Sequence, residues 1–166
     1  MMLDVIEVLD AVEESAEFKT WNQEHSDYFL AHVFRSLDNL GEGEWQVGYY
    51  LPKTQKMTTF IPATPEKKID VARDLDVLKP QGLLPLDKAT IHIDSTTALT
   101  AAAKKRAETY GTEPILKTFF LMQNSDNGTI YNITYFTQSF KTINLHISAS
   151  DASVLEHSKN NLAAFG

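Results

Sequence analysis

The sequence predicts an α+β protein of two repeats, each one helix packed on a three- or four-stranded antiparallel sheet. Three observations carry that expectation. Stretches such as "IYNITYFT" and "TINLHIS" alternate apolar and polar side chains, the period of a half-buried strand. Stretches near residues 3 and 94 repeat apolar side chains at helical spacing. Finally, "EWQVGYYLPKTQKMTTFIPA" (44–63) lies over "IYNITYFTQSFKTINLHISA" (130–149) at a constant shift of 86 positions. Trp45 then falls on Tyr131, Val47 on Ile133, Tyr49 on Tyr135, Tyr50 on Phe136, Met57 on Ile143 and Ile61 on Ile147. The same shift sets Val33 over Phe119 and Phe34 over Phe120, and a repeat of this length is a duplicated domain rather than a solenoid unit.

Taken in order, residues 3–19 form the first helix, with Ile6, Leu9, Val12 and Ala16 on one stripe and Glu7, Asp10, Glu14 and Glu17 facing away. Strands follow at 28–37, 44–51 and 56–62, separated by "LGEGE" and "LPKTQK". The proline-containing stretch from Pro62 to Asp94 is a connector, with a short amphipathic helix around Lys67–Leu75, an edge strand at "TIHI" and a domain boundary near Pro85. The domains are thus 1–85 and 86–166. In the second, Asp94 or Ser95 caps a helix whose inward stripe is Leu99, Ala102, Ala103 and Tyr110, and Gly111 stops it. A shift of 90 sets Leu9 over Leu99. Strands at 115–123, 129–137 and 140–148 complete the repeat.

Composition narrows the function classes. A chain of 166 residues, 43% hydrophobic, hides roughly 70% of its unfolded surface and holds a sizeable core. It has no cysteine, so disulfides, thiolate zinc sites and thiol nucleophiles are excluded. Net charge is -7, which argues against nucleic acid. The imbalance lies wholly in residues 1–86, with 15 acids against 8 bases, while residues 87–166 hold 7 of each. The opening "MMLDVIEVLDAVEESAEF" lacks the basic and apolar regions of a signal peptide, and no apolar run approaches a membrane span. A cytoplasmic chain is expected, although one trimmed of a leader would read the same. The sequons at Asn127 and Asn132 therefore carry no weight.

The second half, from "IDSTTALTAAAKKRAETYG" through "GTIYNITYFTQSFKTINLHISASDASVLEH", resembles the PepSY domain. The shared features are the alanine-rich helix, a "xYxIxY" strand, and a last strand running into Asp151, Ala152, Val154 and Leu155. The first half resembles a degenerate copy. The resemblance implies a tandem of noncatalytic modules that bind or restrain a protein or peptide partner, with no cofactor and no catalytic residues.

The residues themselves agree, since nothing supplies a nucleophile with a base. His25, His32, His92, His146 and His157 form no tight ligand pair, so no metal site is expected. The acids of the first helix are spread along it rather than looped around a glycine, as a calcium loop requires. Ser95-Thr96-Thr97, without a glycine-rich loop and lysine, reads as a cap. The candidate binding residues are Tyr50, Phe60, Phe136 and His146, assigned to the sheet face opposite the helices. Four such side chains in the open exceed the apolar patch a soluble monomer usually exposes, so the two halves are expected to cover each other's second face, or a partner to do so. A rival reading is a small-ligand protein of cystatin-like shape, its pocket between helix and sheet lined by Trp45, Tyr49, Tyr131 and Tyr135. Opposite helix charges, Asp4, Glu7, Asp10, Glu13, Glu14 and Glu17 against Lys104, Lys105 and Arg106, further suggest docking of a basic partner or a homodimer.

Overall fold

The computed structural model describes residues 4–64, 68–76 and 83–161, with backbone alone for 72–76. Three helices, α1 (Val5–Glu14), α2 (Ala16–Glu24) and α3 (Ser95–Tyr110), lie on one side of a sheet. Its strands are β1 (Phe29–Leu37), β2 (Trp45–Leu51), β3 (Lys56–Ile61), β4 (Asp70–Asp76), β5 (Ile115–Ser125), β6 (Gly128–Thr137), β7 (Lys141–Ser148) and β8 (Val154–Asn161). Every pairing is antiparallel, and the eight form one continuous sheet in the order β4-β3-β2-β1-β5-β6-β7-β8.

This corrects the fold expected from the sequence. Two separate helix-on-sheet repeats do not form. β1 and β5 pair from His32↔Gln123 to Leu37↔Thr118, fusing the halves edge to edge into a sheet-dominated fold. The constant 86-residue shift also fails. Val33 pairs with Met122 and faces the helices, whereas Phe119 pairs with Ser36 and faces away. In β3, Phe60 pairs with Val47 and faces the helices, so Met57 and Ile61 point the other way, opposite to Ile143 and Ile147. A one-residue slip moves every side chain of a strand to the other face.

Local chemistry explains the elements. The first helix breaks because Ser15 takes an extended conformation (ψ 148°), donates its hydroxyl to the Val12 carbonyl at 2.6 Å and accepts from the Phe18 amide at 3.1 Å. One side chain thus ends α1 and caps α2. Asp94 caps α3 through the Thr97 amide at 2.8 Å, and Gly111, at φ 88°, stops it. The stretch expected as a helix near 67–75 is β4 from Asp70 onward, and Lys67 lies outside the described residues. "TIHI" forms no strand. Lys88–Thr90 is instead a 3-10 turn capped by Asp87. β8 continues the meander at the far edge, beyond the last strand expected at 140–148.

The core lies between helices and sheet. In one half Val5, Val8, Leu9, Val12, Phe18 and Trp21 pack on Val47, Tyr49 and Phe60; in the other Ala98 and Ala102 pack near Ile133, Ile143, Leu145 and Ile147. Ala103, expected inward, is exposed. Trp45 and Tyr131 both face inward, against opposite sides of the Phe120 ring at 5.4 and 5.9 Å. Two polar links tie the helices together across the halves. Asp4 accepts from the Ser95 amide and hydroxyl at 3.0 and 2.7 Å, and Lys88 bridges Asp10 and Glu13 at 2.5 and 3.3 Å. Around Pro85 the connector crosses the ends of two strands, the Leu86 amide donating to Leu30 and Asn124 to Pro85.

Candidate functional site

The side of the sheet facing away from the helices is covered at one corner. There Leu83 packs on Ala31, Tyr50 and Met57, with Phe29 edge-on to Tyr50 at 5.6 Å. Elsewhere on this face most side chains are in part accessible, with Thr59 and Ile130 buried among them. At its centre, Phe34 of β1 and Phe119 of β5 stack with ring centroids 6.2 Å apart, Lys117 lies 5.6 Å over Phe119, and Leu121 pairs with Phe34. The next strands supply amides and hydroxyls. The Asn144 side-chain amide donates to Asn132 Oδ1 at 2.6 Å and Thr134 Oγ1 at 2.9 Å, so these groups form a fixed polar ladder beside the aromatic strip. Gln46 flanks the strip on the other side, across from Phe34.

His32 follows a bulge in β1 and shares this face with Gly48 and Gln123. Glycine at 48 is required by proximity: a Cβ there would meet the imidazole at 2.6 Å and the Met57 sulfur at 2.9 Å. Burial lowers the His32 pKa to about 4, so the ring is neutral at neutral pH. His146 Nδ1 lies 3.3 Å from the Glu156 carboxylate on the edge strand.

Charge sets this face apart. Registers of the six inner strands β1–β3 and β5–β7 place Phe34, Ser36, Gln46, Tyr50, Thr59, Gln123, Asn132, Thr134, Asn144 and His146 on it, and Lys117, but no carboxylate. The acids lie elsewhere in the described structure: on the helices, in loops, and on this face only at the edge strands, with Asp70 and Glu156. Of the acidic helix residues, Asp4, Asp10 and Glu13 are engaged internally, and Glu7, Glu14 and Glu17 are exposed.

The four candidate residues separate. Phe136 and His146 lie on the accessible face, on β6 and β7. Tyr50 shares it but is only 4% exposed, in the covered corner. Phe60 is a correction: it is fully buried under the helices, its ring 5.5 Å from Phe18 and 5.2 Å from Trp21. The turn after Leu51 places Lys56 opposite Leu51, which fixes Phe60 opposite Val47. Mutual covering of second faces is likewise overturned, because the halves sit side by side. Phe34, Phe119 and Leu121 were missed as surface residues. The doublet Phe119-Phe120 carried the signal, since adjacent strand residues point to opposite faces and one of the pair must leave the core.

Trp45, Tyr49, Tyr131 and Tyr135 fill the space between helices and sheet, all at most 8% exposed, and no described cavity is lined by the four together. Among the described residues no group of three His, Asp or Glu converges as a metal site, and no helix is long and apolar enough to cross a membrane.

Comparison with known proteins adds the fold. No family model matches the chain, and no curated protein matches it. A solved structure from Clostridium difficile 630, described as a "putative lipoprotein", superposes with a TM-score of 0.55 over 87% of this chain and 90% of that one, at 13% identity. At that identity the likeness is one of fold.

Proposed function

We propose that this chain is a noncatalytic binding or regulatory module, the role implied by its resemblance to the PepSY domain, and that it engages a protein partner through the open face of its sheet. The supporting observation is that the six inner strands of this face carry no carboxylate, the Phe34–Phe119 strip being flanked by the Asn132–Thr134–Asn144 ladder in a chain of net charge -7. Aromatic rings beside fixed amides suit protein recognition, the rings supplying buried area and the amides orientation. Antiparallel sheets commonly leave one face to solvent, but that face then usually carries charge.

The test places a photo-crosslinking residue at Phe119, and in a separate protein at Thr109 on the outer side of α3, in cells of the native host. A partner captured from position 119 and not from 109, then rebuilt with purified components and weakened at least tenfold by Leu121→Arg, supports the reading. Equal capture from both positions, or binding indifferent to Leu121→Arg, sinks it.

A further inference from the structure

The identity of the partner follows from the same face, and this step rests on the binding role proposed above. We propose that the occupant is a second copy of this chain, packed face to face about a two-fold axis.

Charge selects the face through which two copies can meet. Each copy carries -7, and the exposed acids Glu7, Glu14 and Glu17 lie on the helical side. Approach through that side sets like charges against each other. Approach through the open face, which lacks carboxylates on its six inner strands, leaves the acidic helices on the outside of the pair.

The face also complements itself. A two-fold contact sets each patch against its own copy, so the patch must be chemically compatible with itself. The Phe34, Phe119 and Leu121 strip meets an apolar strip, and the side chains beside it are amides and hydroxyls, which donate and accept alike, with Lys117 over Phe119 the one charge that the inner strands add. Two sheets stack at about 10 Å with strands crossing at about 30°, a separation at which half-exposed rings from both sides interdigitate.

The area is sufficient. Eight strands spaced about 4.8 Å apart, each with about seven residues rising ~3.3 Å, make a face of roughly 800 Å², or about 600 to 700 Å² without the corner beneath Leu83, and in it the edge strands with Asp70 and Glu156 form the rim. Specific interfaces bury about 600 to 1,000 Å² per partner. The pair therefore sits at the small end of that range and should dissociate on dilution.

Light scattering after size exclusion, over a hundredfold range of concentration, tests this. The untagged chain should rise from 18.7 kDa toward twice that mass. Leu121→Arg and Thr134→Arg should each stay monomeric throughout, with unchanged circular dichroism, while Thr109→Arg, the same change in charge on α3, should associate like the parent. If Leu121→Arg fails to fold, Thr134→Arg decides. A parent chain that is monomeric at every concentration overturns the proposal, as does association that survives both open-face variants. The binding role falls separately. A monomeric parent whose position 119 captures a different protein discards the second copy and keeps the role, whereas a monomeric parent with no capture discards both.

Discussion

The two halves of the sheet carry their helices in different ways. Under α1 and α2 the core is aromatic, with Phe18, Trp21, Tyr49 and Phe60 in mutual ring contact at 5.1 to 5.8 Å. Among the described residues it leaves Trp21 Nε1, the Tyr49 hydroxyl and the Thr58 hydroxyl buried without a hydrogen-bond partner. Under α3 the helix contributes small side chains, the sheet contributes Ile and Leu, and the polar tips are mostly tied down. Tyr131 donates to the Ile93 carbonyl at 2.7 Å, and the Tyr110 hydroxyl shares a 2.6 Å hydrogen bond with His157 Nδ1. The Arg106 Nε is an unpartnered atom there, although another nitrogen of the same guanidinium reaches the Glu113 carbonyl at 2.9 Å. Comparable apolar filling can therefore coexist with different polar satisfaction, and that difference should decide which substitutions each half tolerates.

The harshest test of the comparison removes what the halves share. Phe120 touches Trp45 on one side and Tyr131 on the other, so Phe120→Ala should cost about 3 to 5 kcal/mol in urea denaturation. Loss in a single transition marks one cooperative body; two separated transitions would mean that the halves unfold independently.

Next in size is an acid sensitivity specific to the first half. His32 titrates near pH 4 when folded and near 6.5 when unfolded. Between those values the unfolded chain binds a proton that the folded chain refuses, so stability falls as pH drops through this window and is unaffected above it. The loss should reach about 2 kcal/mol, allowing for the ring's partial contact with solvent. His32→Gln should flatten the slope between pH 6.5 and 4, and an unchanged slope would place the sensitivity elsewhere.

A finer contrast uses two tyrosines. Tyr131→Phe should lose about 1 kcal/mol with its hydrogen bond, whereas Tyr49→Phe should gain up to about 1 kcal/mol by deleting a hydroxyl that has no partner among the described residues. Equal losses at both sites would erase the difference in polar satisfaction. The smallest effect belongs to the bridge between the halves. Lys88→Met should cost no more than about 1 kcal/mol, since Lys88, Asp10 and Glu13 are 35 to 45% exposed. Thermal melts at low and high salt would detect it.

Much of the local structure was legible in the sequence, because local signals decide it. The period-2 stretches placed six strands nearly to the residue, and Asp94 and Gly111 bounded α3. Ser15 was not read as a break, since a serine inside an apolar stripe looks helical until its hydroxyl is seen serving both ends. The edge strands were harder. The stretch that forms β4 reads Asp70, Arg73, Asp74 and Asp76 among its residues, and this charge masks its period in the sequence. Register was the costliest gap. Sequence similarity aligned Met57 with Ile143, but the turn after Leu51 places Phe60 opposite Val47, and that single step moved Phe60 from the proposed face into the core. The continuous sheet itself was beyond local reading, because the β1–β5 pairing joins residues far apart in sequence.

That central pairing has a kinetic consequence. Within β1–β4 and within β5–β8 each strand pairs with its sequence neighbour, so these meanders close short loops and can form early. The β1–β5 ladder instead brings together His32 and Gln123, some ninety residues apart, and must wait for the two meanders to meet. Until it does, β1 and β5 are both naked edges with complementary registers. In a crowded refolding reaction β1 of one molecule can pair with β5 of another, so yield should fall as protein concentration rises during refolding, in proportion to the time that this middle seam stays open.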